Sequence, residues 1–333
     1  MTTTRPTRHR RRSTALLGVI LGGTALVATA CPEPPPSAGS GTTTTPGPTT
    51  TAGPTTTAAP TTTTPSSIKT LTNASFEWTV SKQTNNASQA PGQVNYWSAG
   101  ISDGTAATYT ATNGNATVLK KNAAGTYVPV GSESAVSFAN KNRDGAGNVV
   151  TSSNAFFLGQ KVRYTGGTGT VNTATGASTI QWTGTFTINF YGTYVPFWIK
   201  NPKLVVNGSG VGTLTASIAG FASSQDDPTI RIQLPERTVT LAEFTGLSAA
   251  NTSGFTSTPA FLNVAAQLPS AQAAAAPQIA KTSANAGYWG AWPKSFVDFQ
   301  IETGLGAYWY TSGSSSDVNK PVDPLTVAYN IAP

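Results

Sequence analysis

Residues 180–206 read IQWTGTFTINFYGTYVPFWIKNPKLVV. In the first half Trp182, Gly184, Phe186, Ile188 and Phe190 fall on one side of an extended chain, and Thr183, Thr185, Thr187 and Asn189 on the other. Period-two alternation in aromatic and β-branched residues is the pattern of a half-buried strand. The run ends in a cluster of rings, Tyr191, Tyr194, Phe197 and Trp198, before a break at Asn201-Pro202 and a second strand. So dense a cluster is either the heart of a core or the wall of a pocket.

Outward from this stretch the chain is strands separated by Gly, Asn, Ser and Thr turns. Phe76 to Val80 alternates, and Thr105 to Thr112 reads as a short strand closed by Asn113-Gly114. Thr117 to Val130 reads as a hairpin with Asn122 to Gly125 as its loop. Ala135 to Phe138 and Val149 to Val162 flank the turn NKNRDGAGN. Downstream, the turn Asn207 to Gly210 sends Leu204 to Val206 back into Gly212 to Ile218. Ile230, Ile232 and Leu234 alternate with Arg231 and Gln233, and Val239 and Leu241 continue that pattern. Val297, Phe299 and Ile301 alternate with Asp298, Gln300 and Glu302, which predicts another strand; Leu325, Val327 and Tyr329 share one face of the last. The best helix signal is Ser270 to Thr282, alanine-rich but interrupted by Pro277. Many short strands and nearly no helix predict an all-β fold, a large antiparallel β-sandwich with at most one or two short helices, over residues 68–333.

What precedes that domain predicts an address. Arg5, Arg8, Arg10, Arg11 and Arg12 lead into an apolar run of 14 residues, Ala15 to Ala28, and a small-residue exit, Ala28-Thr29-Ala30. This is an export signal over residues 1–31, too short to span a bilayer, which takes roughly 20 apolar residues. The general secretory route fits better than the twin-arginine route. Cys31, the only cysteine, stands where a bacterial lipoprotein is lipidated, although Ala28 replaces the usual Leu three residues earlier. Plain secretion after Ala30 is the alternative. Residues 32–67 are Thr, Pro, Gly and Ala with almost nothing large to bury, hence a disordered or polyproline-like linker. Extended at about 3.1 Å per residue it would reach on the order of 100 Å, enough to carry a domain from a membrane through a cell wall.

Removing the signal also removes most of the charge. Of 20 Lys and Arg, those five leave 15 against 13 Asp and Glu, a net of +2. The basic balance therefore predicts no nucleic-acid partner. His9 is the only histidine and leaves with the signal. A mature chain without histidine or internal cysteine rules out Ser-His-Asp and Cys-His catalysis and zinc fingers. No catalytic residues are assigned, and the protein is expected not to be an enzyme.

The motifs from Gly184 to Phe221, together with the C-terminal segment, resemble the HtaA (haem-transport-associated) domain of actinobacterial cell-envelope proteins. The matching pieces are Gly184-Thr-Phe186, Phe190-Tyr191-Gly192, Phe197-Trp198-Ile199, Asn201-Pro202, and Leu204 to Gly208 into Leu214-Thr-Ala216. Ala74 to Val80 is similar to the family's opening strand, and Tyr310 to Gly313 and Asp323 to Thr326 to its close. The resemblance implies a β-rich, exported domain on the outer face of the membrane or wall that binds haem through a tyrosine oxygen assisted by a histidine. This chain departs at both places: Gln83 to Ala87 carries no tyrosine, and Tyr191 stands where the histidine would be. Tyr191, Tyr194 and Tyr96 are then the candidate haem ligands, since a phenolate ligates ferric haem. Phe190, Phe197 and Trp198 are the candidate pocket wall. The other reading of each ring is packing with a satisfied hydroxyl.

Asn140, Asn142, Asp144 and Gly145 imitate the start of a calcium loop, but the twelfth position is Thr151, so an Asp-Gly turn is expected and no metal site is assigned. Asp226-Asp227 reads as solvated loop charge; Asp298 and Glu302, four residues or roughly 13 Å apart on an extended strand, are too far apart for paired-carboxylate work. Tyr288-Trp289-Trp292 and Tyr308-Trp309-Tyr310 would stack on sugar rings if exposed and make core if not. The expectation is a membrane-anchored, wall-spanning, non-enzymatic binder of haem or another flat aromatic ligand. The alternative is a structural, adhesive or glycan-binding wall module.

Overall fold

The alternating run of residues 180–190 does not form one strand. The computed structural model describes residues 67–88, 93–223, 230–247 and 253–331. In it Ser178–Gln181 and Thr185–Phe190 are separate strands, β7 and β8, with Trp182 to Gly184 between them. Gly184 has φ of 127°, and its N–H donates to Asn201 Oδ1 at 2.9 Å while Asn201 N–H donates to Gly184 O at 2.9 Å. Trp182 turns inward, its indole N–H donating to Ala74 O at 2.9 Å. The alternation is kept on β8, but both faces are buried: the threonines and Asn189 face covered structure rather than water.

The remaining strands are β1 Ile68–Trp78, β2 Tyr96–Ala99, β3 Thr112–Asn113, β4 Ala116–Lys121, β5 Tyr127–Pro129, β6 Gln160–Asn172, β9 Val195–Val206, β10 Gly212–Ser223, β11 Arg231–Phe244, β12 Gly254–Ser257 and β13 Leu325–Ala328. All thirteen join one antiparallel sheet in the order β11-β10-β9-β7-β6-β1-β13-β12, with β8 bridging β9 to β2 and β4 bridging β6 to β3 and β5. The architecture is all-β, as expected, and the sheet does not close into a barrel. Two long strands hold its parts together. The first half of β9 pairs with β8 and the second with β7; the first half of β6 pairs with β4 and the second with β7.

Among the described residues there are two α-helices, α1 (Ser270–Ala275) and α2 (Lys294–Glu302). Neither is long and apolar enough to cross a membrane. Helix α1 lies where the alanine-rich run placed it. Helix α2 corrects the strand expected over Val297 to Ile301. Its buried residues are Phe296, Val297, Phe299 and Gln300, a helical face that contains two positions of the apparent alternation by coincidence. Pro293 at the N-cap supplies the start signal. The strand expected over Thr105 to Thr112 is also corrected. The Asp103 carboxylate accepts from Thr105 N–H, Thr105 Oγ1 and Thr108 Oγ1, winding Ala106–Thr108 into a 3₁₀ turn and leaving only β3. Likewise Ser134–Val136 and Phe138–Asn140 are 3₁₀ turns, and β6 starts only at Gln160.

The core face of β8 and β9 packs against α2 and the 3₁₀ turn Gly306–Trp309. Rings follow one another from Phe76 through Trp78, Trp292, Trp309, Phe197 and Phe190 to Tyr308, with successive centroids 5.1–6.3 Å apart. Such tilted and edge-to-face contacts add about 0.5–1.5 kcal/mol each to simple burial. The Lys320 ammonium, 1% exposed, pairs with Asp317 and donates to Ala307 O at 2.7 Å and Tyr310 O at 2.9 Å, fixing the turn that carries Tyr308 and Trp309.

The break after β7 tolerates no side chain at its glycine. A Cβ on Gly184 would lie 2.6 Å from Asn113 O and 2.8 Å from Ala116 N. Gly184→Ala is therefore expected to lower unfolding free energy by about 2–4 kcal/mol in urea melts, combining overpacking with backbone strain. Gly125→Ala, at φ of 74° with open space around it, should cost only about 1–2 kcal/mol. Equal losses in the two variants would refute the steric account.

Candidate functional site

The ring cluster that closes the 180–206 stretch is split between opposite faces of β9. Phe190 and Phe197 point into the core, 1% and 0% exposed. Trp198, one residue on, lies on the opposite face; only 4% exposed, it packs edge-on against Phe221 and lines an open cavity of about 400 Å3 with Ile101, Ala219 and Gln233 to Glu236. Of the three expected wall residues, only Trp198 borders this cavity.

Tyr191 and Tyr194 lie in the turn between β8 and β9, both half-buried against the main core. Tyr191 has φ of 53° and the next residue, Gly192, 69°. A bulky ring in the left-handed region is uncommon and costs on the order of 1–3 kcal/mol. The turn is held by Asn95, whose Oδ1 accepts from Tyr191 N–H at 3.1 Å, and by Val94 O, which accepts from Gly192 N–H at 3.2 Å. The result aims the Tyr191 ring edge-on at Tyr308, centroids 6.0 Å apart, with the two hydroxyls hydrogen-bonded to each other. Burial pushes the Tyr308 phenol up to about 12, so it is neutral at physiological pH. Tyr308 was legible in sequence only as part of an aromatic run; Asn95 carried no signal.

Tyr96 sits elsewhere. It is 1% exposed in a second cluster with Val94, Val150 and Leu158, beside the rings of Tyr109 and Phe138. Its hydroxyl donates to Gly104 O, and burial, then the Asp103 charge, push its pKa well up.

The segment where the resemblance would place an iron tyrosine is a buried polar brace. Lys82–Asn85 is a 3₁₀ turn with Gln83, Thr84 and Asn85 buried. Asn85 Oδ1 accepts from Gln160 N–H at 2.7 Å, Gln160 Oε1 accepts from Trp97 N–H at 2.8 Å, and Thr84 O accepts the Trp97 indole N–H at 2.9 Å.

The other candidate groups resolve into structure. Trp292, Trp309 and Tyr310 are buried; Tyr288, Trp289 and Tyr308 are half-buried. Those six rings form no exposed platform. Asp298 and Glu302 lie on α2, not on a strand, and pair with Lys294 and Arg237. Cys31, the linker and Asp226-Asp227 lie outside the described residues. Among the described residues no group of three or more His, Cys, Asp or Glu is placed to hold a metal. In the calcium-like loop, Asp144 accepts from Asn148 N–H at 2.8 Å and Asn148 Nδ2 at 2.9 Å. Asn140 O accepts from the Lys120 ammonium at 2.9 Å.

No protein-family model and no curated protein matches the chain. Among solved structures it is similar to the C-terminal domain of HtaA from Corynebacterium glutamicum, with a TM-score of 0.38 and 12% identity over 79% of this chain and 99% of that one. The likeness is loose and assigns no residue a role.

Lys120 generates a pH prediction. Its side chain is 0% exposed, and burial lowers its pKa from 10.5 to about 8, against a smaller opposing pull from Asp144. Below pH 8 folded and unfolded chains both carry the proton, so the cost of the buried charge is present in full. Between about 8 and 10.5 the unfolded chain binds more protons, and stability from this group rises with pH. Lys120→Met should be more stable than wild type at pH 7 by about 1–3 kcal/mol. That advantage should shrink as denaturant melts are repeated toward pH 10. A difference independent of pH would show that Lys120 is not the titrating group.

Proposed function

We propose that this chain is a non-enzymatic binding protein displayed on the cell surface, capturing haem or another flat aromatic ligand through the Tyr191 hydroxyl. The observation that carries the reading is the strained backbone of Tyr191. A large side chain kept at φ of 53°, where Gly or Asn would sit at less cost, marks a position whose geometry is under a demand other than stability. Of the other non-glycine residues at positive φ, Asn201 and Asn263 are of the type that tolerates it, and Val80 is buried where β1 ends. Among the described residues only Tyr191, itself half-buried, pairs the strain with a hydroxyl on a chemically capable group.

The donor set suits ferric haem. A phenolate oxygen is an established axial ligand to haem iron, and Tyr308, neutral and hydrogen-bonded to Tyr191, would stabilise charge left on that oxygen. In this arrangement Tyr308 takes the supporting position that the resemblance gives to a histidine. Tyr194, on the same turn, is the second candidate donor. Tyr96 has its hydroxyl spent on Gly104, which weakens its case. The domain would be carried outside the cell by the export signal, on a lipid at Cys31 in the membrane, with residues 32–67 as its stalk through the wall.

Hemin added to the purified protein is expected to give a shifted Soret band and a tyrosinate-to-iron charge-transfer band. Both should vanish in Tyr191→Phe. Binding should weaken about tenfold in Tyr308→Phe, the worth of one hydrogen bond to a charged group, and stay unchanged in Tyr96→Phe. No spectral change at micromolar hemin would leave the structural or adhesive wall module as the reading.

A further inference from the structure

On the face of the sheet opposite the ring-packed core, the cavity beside Trp198 is a second place where this protein can meet a ligand, independent of Tyr191 and Tyr308. Three adjacent strands build its floor. Trp198 on β9 and Ala219 on β10 are register partners, Gln233 to Glu236 come from β11, and Ile101, 63% exposed, closes one side from the loop after β2. The volume, about 400 Å3, lies within the usual range for small-molecule sites.

The indole of Trp198 differs from most others in the chain. Five of the seven, those of Trp78, Trp97, Trp182, Trp289 and Trp292, donate their N–H to a backbone carbonyl. That of Trp309 is sealed without a partner. The indole N–H of Trp198 takes part in no hydrogen bond among the described residues, yet it is not among the sealed, unpartnered atoms. It is an unpartnered donor on a residue that lines the cavity.

The lining selects a chemical class. Trp198, Leu234, Pro235, Ala219 and Ile101 supply apolar surface, while the Gln233 amide, the Glu236 carboxylate and the free indole N–H supply hydrogen bonds in both senses. Glu236 is the only charged residue of the lining, and it is offset by Lys200, whose ammonium lies 3.4 Å away. The rim therefore carries no net charge and favours neither an anion nor a cation. A β-strand is also a poor occupant: β11 is the end of the sheet, but Pro235 within it has no N–H to offer a neighbour. What remains is a compact neutral molecule with apolar faces and hydroxyls around its edge. We infer that the Trp198 cavity is a binding site for a neutral sugar ring, the pyranose unit of a glycan.

The test uses the whole chain labelled with ¹⁵N-tryptophan, which resolves the indole N–H groups as separate NMR resonances; the peak lost in Trp198→Phe identifies the one of interest. Glucose, galactose, mannose and N-acetylglucosamine, and a disaccharide of each, are titrated to tens of millimolar. At least one is expected to shift the Trp198 resonance saturably while the others stay in place. Gln233→Ala and Glu236→Ala, both at exposed positions that leave the core intact, should each weaken that sugar about tenfold. The inference is overturned if no sugar moves the Trp198 resonance, if the two variants bind as wild type, or if hemin moves it and sugars do not. Hemin capture at Tyr191 stands or falls separately, because its signal is the Soret band and its variants lie in the β8–β9 turn.

Discussion

Everything in this sheet turns on the pair of hydrogen bonds exchanged between Gly184 and Asn201. Each backbone is bent there, Gly184 at φ of 127° and Asn201 at 51°, and each satisfies the other's polar groups at 2.9 Å. Without the break, β7 and β8 would be one strand and β9 would have a single partner along the edge that faces away from β10. With it, β9 crosses from one partner to the other, and Trp182 is free to drop into the core beside Phe76. The Gln181 amide seals the corner by donating to the carbonyls of Trp182, Asn201 and Pro202. The corner is only partly buried, with Thr183 and Asn201 exposed, and these side-chain and backbone hydrogen bonds satisfy groups that the interrupted ladder leaves without a strand partner.

Because β8 is covered on both sides, its two faces can do different things. The Phe186, Ile188 and Phe190 face belongs to the ring-packed core, and the same core receives Phe197 from β9. The opposite face carries Thr187, whose hydroxyl donates to Gly100 O at 2.6 Å and accepts from Ser102 N–H at 3.0 Å, fastening the loop that holds Ile101. The turn joining β8 to β9 then presents Tyr191 to Tyr308, while the outward side of β9 presents Trp198 to the cavity. One hairpin thus positions both candidate sites, and the buried Lys320 ammonium holds the facing turn in place for the first of them.

The segment that the resemblance singles out and the β8–β9 turn have different surroundings in the fold. The stretch Gln83 to Ala87, where an iron tyrosine was missed, is occupied by an amide network around Asn85 and Gln160 that ties the start of β6 to β2. The amides of Asn85 and Gln160 are engaged on both ends and rigidify the fold, while the buried Gln83 Oε1 in the same stretch has no partner. The Tyr191 hydroxyl, by contrast, stands at a position of backbone strain with a second phenol against it.

Several features were legible in the residues alone: the all-β class, the hairpin at Asn122 to Gly125, the turn at Asn207 to Gly210, the short helix at Ser270, and the importance of the 180–206 stretch. These depend on local period and turn chemistry, which neighbouring residues carry with them. The helix over Lys294–Glu302 and the 3₁₀ turn at Ala106–Thr108 were not legible, because Val297 and Phe299 satisfy both periods and because a single Asp103 carboxylate outweighs the strand preference of the threonines around it. The candidate ring residues came from composition, yet their sorting could not. Phe197 and Trp198 are adjacent in the chain, and only the pleat and the covering of both faces make one of them core and the other the wall of a cavity. Tyr191 and Tyr308 lie 117 positions apart. Their contact exists because a corner, a strained turn and a buried ammonium bring two distant segments together, and no local pattern encodes that.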